Sequence, residues 1–202
     1  MTISAIVFDF GNVICDFNND LFLKNIKPYS NKEFSELHNL IYESSNLPRK
    51  YETGLISSEE FFMQITKLCN LSIPKNEFIN AYTQIFTPKP ETFNLIKSLK
   101  PNYKLGLLSN TSEYDFEYGI KPIEIFNLFD AVSLSYKIKA MKPNTKIYKD
   151  MLEKLHIKAE ESIFIDDIKE YVCSASKIGM IGIHYKNHKA LIKSLKNFNI
   201  VF

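Results

Sequence analysis

The 202-residue sequence contains no tryptophan, only three cysteines and six glycines, and a single arginine, Arg49, among its 25 basic residues. Each shortage removes a class of protein. Readers of nucleic acid lean on arginine for bidentate contacts to phosphates and bases. Here the lysines are scattered among 23 acids for a net charge of +2, with no basic stripe. No nucleic-acid partner is expected. Cys15, Cys69 and Cys173 are far apart and odd in number, which fits neither a disulfide framework nor a zinc site and points to a reducing compartment. No apolar run approaches the roughly 18 residues of a membrane span. Met1 to Phe8 lacks the basic start, apolar run and small-residue cleavage site of a secretory leader. The expectation is a soluble cytoplasmic protein with no membrane partner.

What is present is a composition able to build a core. Hydrophobic residues make up 45% and aromatics 13% of the chain, and the length allows one to two domains. Ile3 to Phe8 is short, apolar and β-branched and ends at Asp9 with Gly11-Asn12 just beyond, which reads as a buried strand opening into a turn. Similar segments are Tyr103 to Leu108, Ala131 to Leu134, Ser162 to Ile165 and Met180 to His184. Between them, Ile147, Met151, Leu152 and Leu155 share one helical face, as do Leu191, Ile192 and Leu195. Strands alternating with helices predict an α/β fold with a Rossmann-like parallel sheet and helices on both faces.

Residues 16–88 break that alternation. Phe34, Leu37 and Ile41 recur at helical spacing, as do Phe61, Ile65 and Leu68. Ser57 with Glu60 fits a capping box, and Pro28, Pro48, Gly54 and Pro74 punctuate the run. No strand is expected there. The reading is an all-helical insertion, residues 16–88, in an α/β core made of 1–15 and 89–202, with Thr87-Pro88-Lys89-Pro90 as the return hinge.

Acids at the ends of apolar strands carry the chemical signal. Asp9 ends the first strand and Asp166-Asp167 end the fourth. Ligands of open parallel sheets bind outside the carboxyl ends of the strands, so these acids should converge on one crevice. Three carboxylates repel one another unless a cation joins them, and an oxygen-liganded Mg²⁺ is the simplest answer. Ser109-Asn110-Thr111 ends the second strand with hydrogen-bond donors, and Lys142 precedes a helix within reach of the same crevice. Taken singly, each has a plainer reading: a turn acid, a helix cap, a turn serine, a solvated lysine. For Asp9, the company of Asp166 and Asp167 favours the active-site reading. His38, His156, His184 and His188 lack metal-ligand spacing and read as surface or partly buried residues. Phe61, Phe62, Phe126 and Phe129 read as core, and Arg49-Lys50 as a solvated loop sooner than as a pair that steers a substrate's charge.

In order and spacing, Asp9 with Val13, Ser109, Lys142 and Asp166-Asp167 resemble the four motifs of the haloacid dehalogenase superfamily, at successive spacings of 100, 33 and 24 residues. The resemblance spans essentially the whole chain. It matches the phosphatase branch with a helical cap inserted after the first motif. It implies that Asp9 is the nucleophile and forms an aspartyl-phosphate, with Mg²⁺ held by Asp9, the Gly11 carbonyl, Asp166 and Asp167. Ser109 and Asn110 would bind the phosphoryl oxygens, and Lys142 would offset the charge. The implied substrate is a small phosphorylated metabolite, a sugar phosphate for example. Two positions depart from the pattern. Gly11 stands where phosphatases usually carry a second aspartate as acid and base, a group worth about 10²–10⁴-fold in rate. Tyr171 stands where asparagine is common after a residue such as Glu170. A haloacid dehalogenase is one alternative, although such enzymes tend to lack the paired late acids. A catalytically silent relative that binds a phosphorylated ligand is the other.

Overall fold

The computed structural model describes residues 2–202; Met1, part of the leader reading above, lies outside them. Five parallel strands form the main sheet: β1 (Ala5–Phe8), β4 (Lys104–Ser109), β5 (Ala131–Leu134), β6 (Ser162–Asp166) and β7 (Ile181–His184), in spatial order β5-β4-β1-β6-β7. β1 is central, with Phe8 opposite both Leu107 and Ile165. Strand periodicity then sends its side chains alternately to two layers. Ile6 and Phe8 enter a core with α6 (Pro90–Leu99) and α10 (His188–Asn197), through Leu95, Ile96, Leu191 and Leu195. Ala5 and Val7 enter the opposite core with α8 (Thr145–Leu155) and α9 (Lys169–Lys177), through Ile147, Met151, Leu155 and Ala175. The α/β reading therefore holds, helices on both faces included. Gly106 is required where α8 crosses β4, because a β-carbon there would lie 2.6 Å from Met151 Sδ.

Five helices, α1 (Asn19–Ile26), α2 (Phe34–His38), α3 (Leu47–Glu52), α4 (Ser58–Cys69) and α5 (Lys75–Thr83), lie between β1 and α6 and bury their own aromatic core. Tyr51 stacks on Phe61 at 4.3 Å between ring centroids, and Phe22 meets Tyr82 edge-on at 5.0 Å. Ser57 and Glu60 form the capping box at the start of α4.

Two expectations are corrected. Residues 16–88 were expected to hold no strand, yet β2 (Cys15–Phe17) pairs antiparallel with β3 (Phe86–Pro88). Three residues per strand leave no readable alternation, and Pro88 is tolerated because the ribbon has only edges. This ribbon carries the chain into and out of the helical unit, and a Lys89–Asp16 ion pair at 2.7 Å braces it. The second correction concerns Arg49-Lys50, which lie on α3 rather than in a loop, because Pro48 at the first turn starts that helix.

Candidate active site

β1 and β6 run side by side, so the residues after them meet. The Asp9 amide continues the ladder by donating to Ile165 O at 2.9 Å, which holds Asp9 beside Asp166. The chain then folds back in a tight turn. Ile14 and Cys15 amides both donate to Phe10 O, and Asn12 takes a left-handed conformation (φ 56°), which asparagine tolerates. That turn aims Asn12 Nδ2 at Asp167 Oδ2, 3.0 Å away. One acid-bearing strand end is thereby tied to the other.

Lys142 is the charge that joins them. Its Nζ donates to Asp9 Oδ1 and to Asp166 Oδ2, both at 2.6 Å, and all three residues are buried. Burial pushes the Asp9 carboxyl up to about 7, with Lys142 pulling it down and Asp166 adding to the rise. Burial also raises Asp166, against the pull of Lys142. For Lys142, burial alone would favour the neutral amine, but the two carboxylates more than offset it and hold the ammonium charged. Asp166 divides its duties: Oδ2 meets Lys142 while Oδ1 accepts the Ile168 amide at 2.8 Å ahead of α9.

The sequence reading missed three supports. The Asn110 side chain is engaged with the Lys142 backbone, accepting its N–H at 2.7 Å and donating to its C=O at 3.3 Å. Asn110 is therefore a clamp for Lys142, whatever its own amide does. Tyr171, in place of the usual asparagine, sets its ring 5.1 Å from Lys142 Nζ, a cation–π distance. His184 lies nearby, its Nε2 2.9 Å from Asp167 O. A polar ring one helical turn after a site acid, and a side-chain amide beside a lysine loop, leave no periodic trace in a sequence.

Carboxylate oxygens of Asp9, Asp166 and Asp167 lie within 4.8 Å of one another. The donors are all oxygen and two of the three acids are buried, which suits a hard cation such as Mg²⁺. Ser109, 3% exposed, sits at the end of β4. A cavity of about 110 Å³ extends from Gly11, Ser109 and Asn110 toward the helical unit, where Glu52 and Tyr42 line it.

The sequence model of haloacid dehalogenase-like hydrolases matches residues 6–184. The chain belongs to this family. The D-ribitol-5-phosphate phosphatase of Bacteroides thetaiotaomicron is 25% identical over 186 residues, covering 88% of this chain and 89% of its own length. The sesquiterpene phosphatase of Aspergillus oryzae is 24% identical over 203 residues, covering 96% of both. Among solved structures, a family enzyme of Bacteroides thetaiotaomicron in complex with magnesium and inorganic phosphate superposes with a TM-score of 0.79 at 23% identity, over 91% of this chain and 94% of that one. A family hydrolase of Porphyromonas gingivalis gives 0.78 at 26% identity over 98% of both chains.

Proposed function

We propose that this haloacid dehalogenase-like hydrolase is a Mg²⁺-dependent phosphatase acting on a phosphomonoester of sugar-phosphate size, with residues 16–88 as the cap over its active site. The observation that carries this reading is the buried Lys142 bridge to Asp9 and Asp166, beside a three-carboxylate oxygen site. An anionic nucleophile can approach an anionic phosphoryl group only if cations lie on both. Asp9, Asp166, Asp167 and the Gly11 carbonyl would hold Mg²⁺, which supplies charge neutralisation at the phosphoryl oxygens. Ser109 and the Asn110 N–H would bind those oxygens, and Lys142 would oppose the charge from the other side.

An Asp9 carboxylate oxygen attacks phosphorus, so an Asp9–phosphate bond forms as the bond to the leaving oxygen breaks. The leaving oxygen takes a proton, and water then cleaves the aspartyl-phosphate to release inorganic phosphate and restore Asp9. With Gly11 carrying no carboxyl, that first proton comes from elsewhere in the site or the leaving group needs little help. The phosphatase relatives named above support the reaction type, and Asp166-Asp167 weigh against a metal-free attack on carbon. The test is phosphate release from aryl and alkyl phosphates with Mg²⁺ or with chelator, run beside Asp9→Asn. Mg²⁺-dependent release that disappears in Asp9→Asn is expected. Halide release without Mg²⁺, or bound ligand with no turnover, would replace this reading by the dehalogenase or the silent binder.

A further inference from the structure

The cavity beyond Ser109 has a composition that phosphoryl binding does not explain. Its lining brings together two carboxylates from different parts of the chain, Glu52 at the end of α3 and Asp115 in the helical turn after β4. They are held there by hydrogen bonds across the seam. Ser135 Oγ lies 2.6 Å from Glu52 O and accepts the Thr111 amide at 2.9 Å. Tyr51 Oη accepts the Tyr114 amide at 2.9 Å. Asp115 is 7% exposed. Its Oδ2 accepts from Ser112 Oγ at 2.8 Å, while its Oδ1 is buried without a hydrogen-bond partner. Such an oxygen in a lined cavity is a group waiting for a donor.

The walls around these acids are aromatic: Phe22, Tyr42, Tyr82 and Phe86 line the same space. The hydroxyls of Tyr42 and Tyr82 are pushed above their ordinary range by burial and by Asp115 and Glu52, so the four polar groups share one field. Among the described residues, no lysine or arginine lines this cavity. Arg49, on the same helix as Glu52, lines a separate groove with Lys50 and Lys139 and only partly offsets the field at Glu52.

We propose that Glu52 and Asp115, with the aromatic walls around them, form a subsite for an ammonium group carried by the leaving-group side of the substrate. This rests on the phosphatase reading and narrows its substrate to zwitterionic phosphomonoesters: phosphate beside Ser109, ammonium beside Glu52 and Asp115. Paired acids and ring faces are the two chemistries that bind such a cation; a primary ammonium would also donate to the orphaned Asp115 oxygen, whereas a quaternary one would meet it by charge alone. A neutral polyol would use the acids but leave the aromatic enclosure without purpose.

The test compares substrates of one shape and different charge. Phosphocholine is set against 3,3-dimethylbutyl phosphate, and phosphoethanolamine against propyl phosphate, in wild type, Glu52→Gln and Asp115→Asn, with ribitol 5-phosphate as the polyol arm. The wild-type enzyme is expected to favour at least one cation over its neutral counterpart by tenfold or more in kcat/KM. The two pairs separate quaternary from primary ammonium, and each variant should bring the ratio down toward one. Calorimetric binding of the same pairs to Asp9→Asn reads the discrimination without turnover. Aryl phosphatase activity with a flat ratio would therefore sink the subsite alone, whereas discrimination in binding with no phosphate release would sink only the phosphatase reading. Ratios near one in wild type, ratios unchanged in both variants, or a polyol preference that the variants abolish would each overturn the proposal.

Discussion

The ring of Phe17 occupies the space where a side chain on residue 11 would begin: a β-carbon on Gly11 would lie 3.0 Å from its Cε1 and 3.2 Å from its Cδ1. The missing aspartate and this phenylalanine are therefore linked. Gly11→Asp alone has to displace the ring of Phe17, which is 42% exposed on the β2 ribbon. If leaving-group protonation limits the rate, Gly11→Asp should raise kcat on alkyl phosphates by a few-fold at most. Gly11→Asp with Phe17→Ala should raise it by about tenfold or more, within the range of general acid catalysis. Aryl phosphates, whose leaving groups need little protonation, should respond least. Identical kcat on alkyl phosphates in wild type and both variants would show that protonation is not limiting.

Lys142 is the positive charge that bridges the two buried carboxylates of Asp9 and Asp166. Removing one member of such a set leaves buried charge uncompensated, at about 3–5 kcal/mol. Lys142→Met should lose that much stability to urea in chelator, recover part of it with Mg²⁺, and release no phosphate at a detectable rate. A variant within about 1 kcal/mol of wild type in chelator would mean that Asp9 and Asp166 do not depend on this lysine for their folded placement.

The legible part of the protein was the part written by periodicity and strand ends. β1 and β6 were recognisable because they are fully buried and therefore uniformly apolar. Their terminal acids stood out by contrast, and register alone was enough to bring Asp9 to Asp166. The β2–β3 ribbon was illegible because it is three residues a side and held by partners about 70 residues apart. Glu52 and Asp115 were illegible for a different reason. Each is one acid in an ordinary helical pattern, and only the docking of α3 against the loop after β4 makes them neighbours. Tyr171 was visible as a departure, but its role as a ring beside Lys142 required the orientation of α9.

The aromatic core of the helical unit should be stability-limiting for the cavity it helps to wall. Phe61 is fully buried and stacks on Tyr51, whose hydroxyl accepts the Tyr114 amide next to Asp115. Phe61→Ala should cost about 3–5 kcal/mol by urea unfolding. It should also raise KM more than it lowers kcat, since Asp9 and Lys142 lie on the other side of the seam. A loss confined to kcat would place the coupling elsewhere.

Glu52 and Asp115 also predict how stability depends on pH. Burial pushes both carboxyls up to about 7, and Asp115 adds to the rise at Glu52. A raised pKa means the folded state holds these protons more tightly than the unfolded chain does. The contribution is most favourable below the ordinary carboxylate range. It is lost as pH climbs toward 7, because the folded protein must then either keep the protons or bury the charge. Glu52→Gln and Asp115→Asn remove that requirement while keeping shape and hydrogen-bonding capacity. Each should therefore gain stability relative to wild type on going from pH 5 to pH 8, by about 1–3 kcal/mol at about 1.4 kcal/mol per pKa unit. Urea midpoints at the two pH values, in chelator and without substrate, measure the gain. A stability difference independent of pH would mean that both carboxyls reach water in the folded protein. An ammonium ligand should shrink the gain, since it stabilises the ionised pair that only the wild-type protein offers.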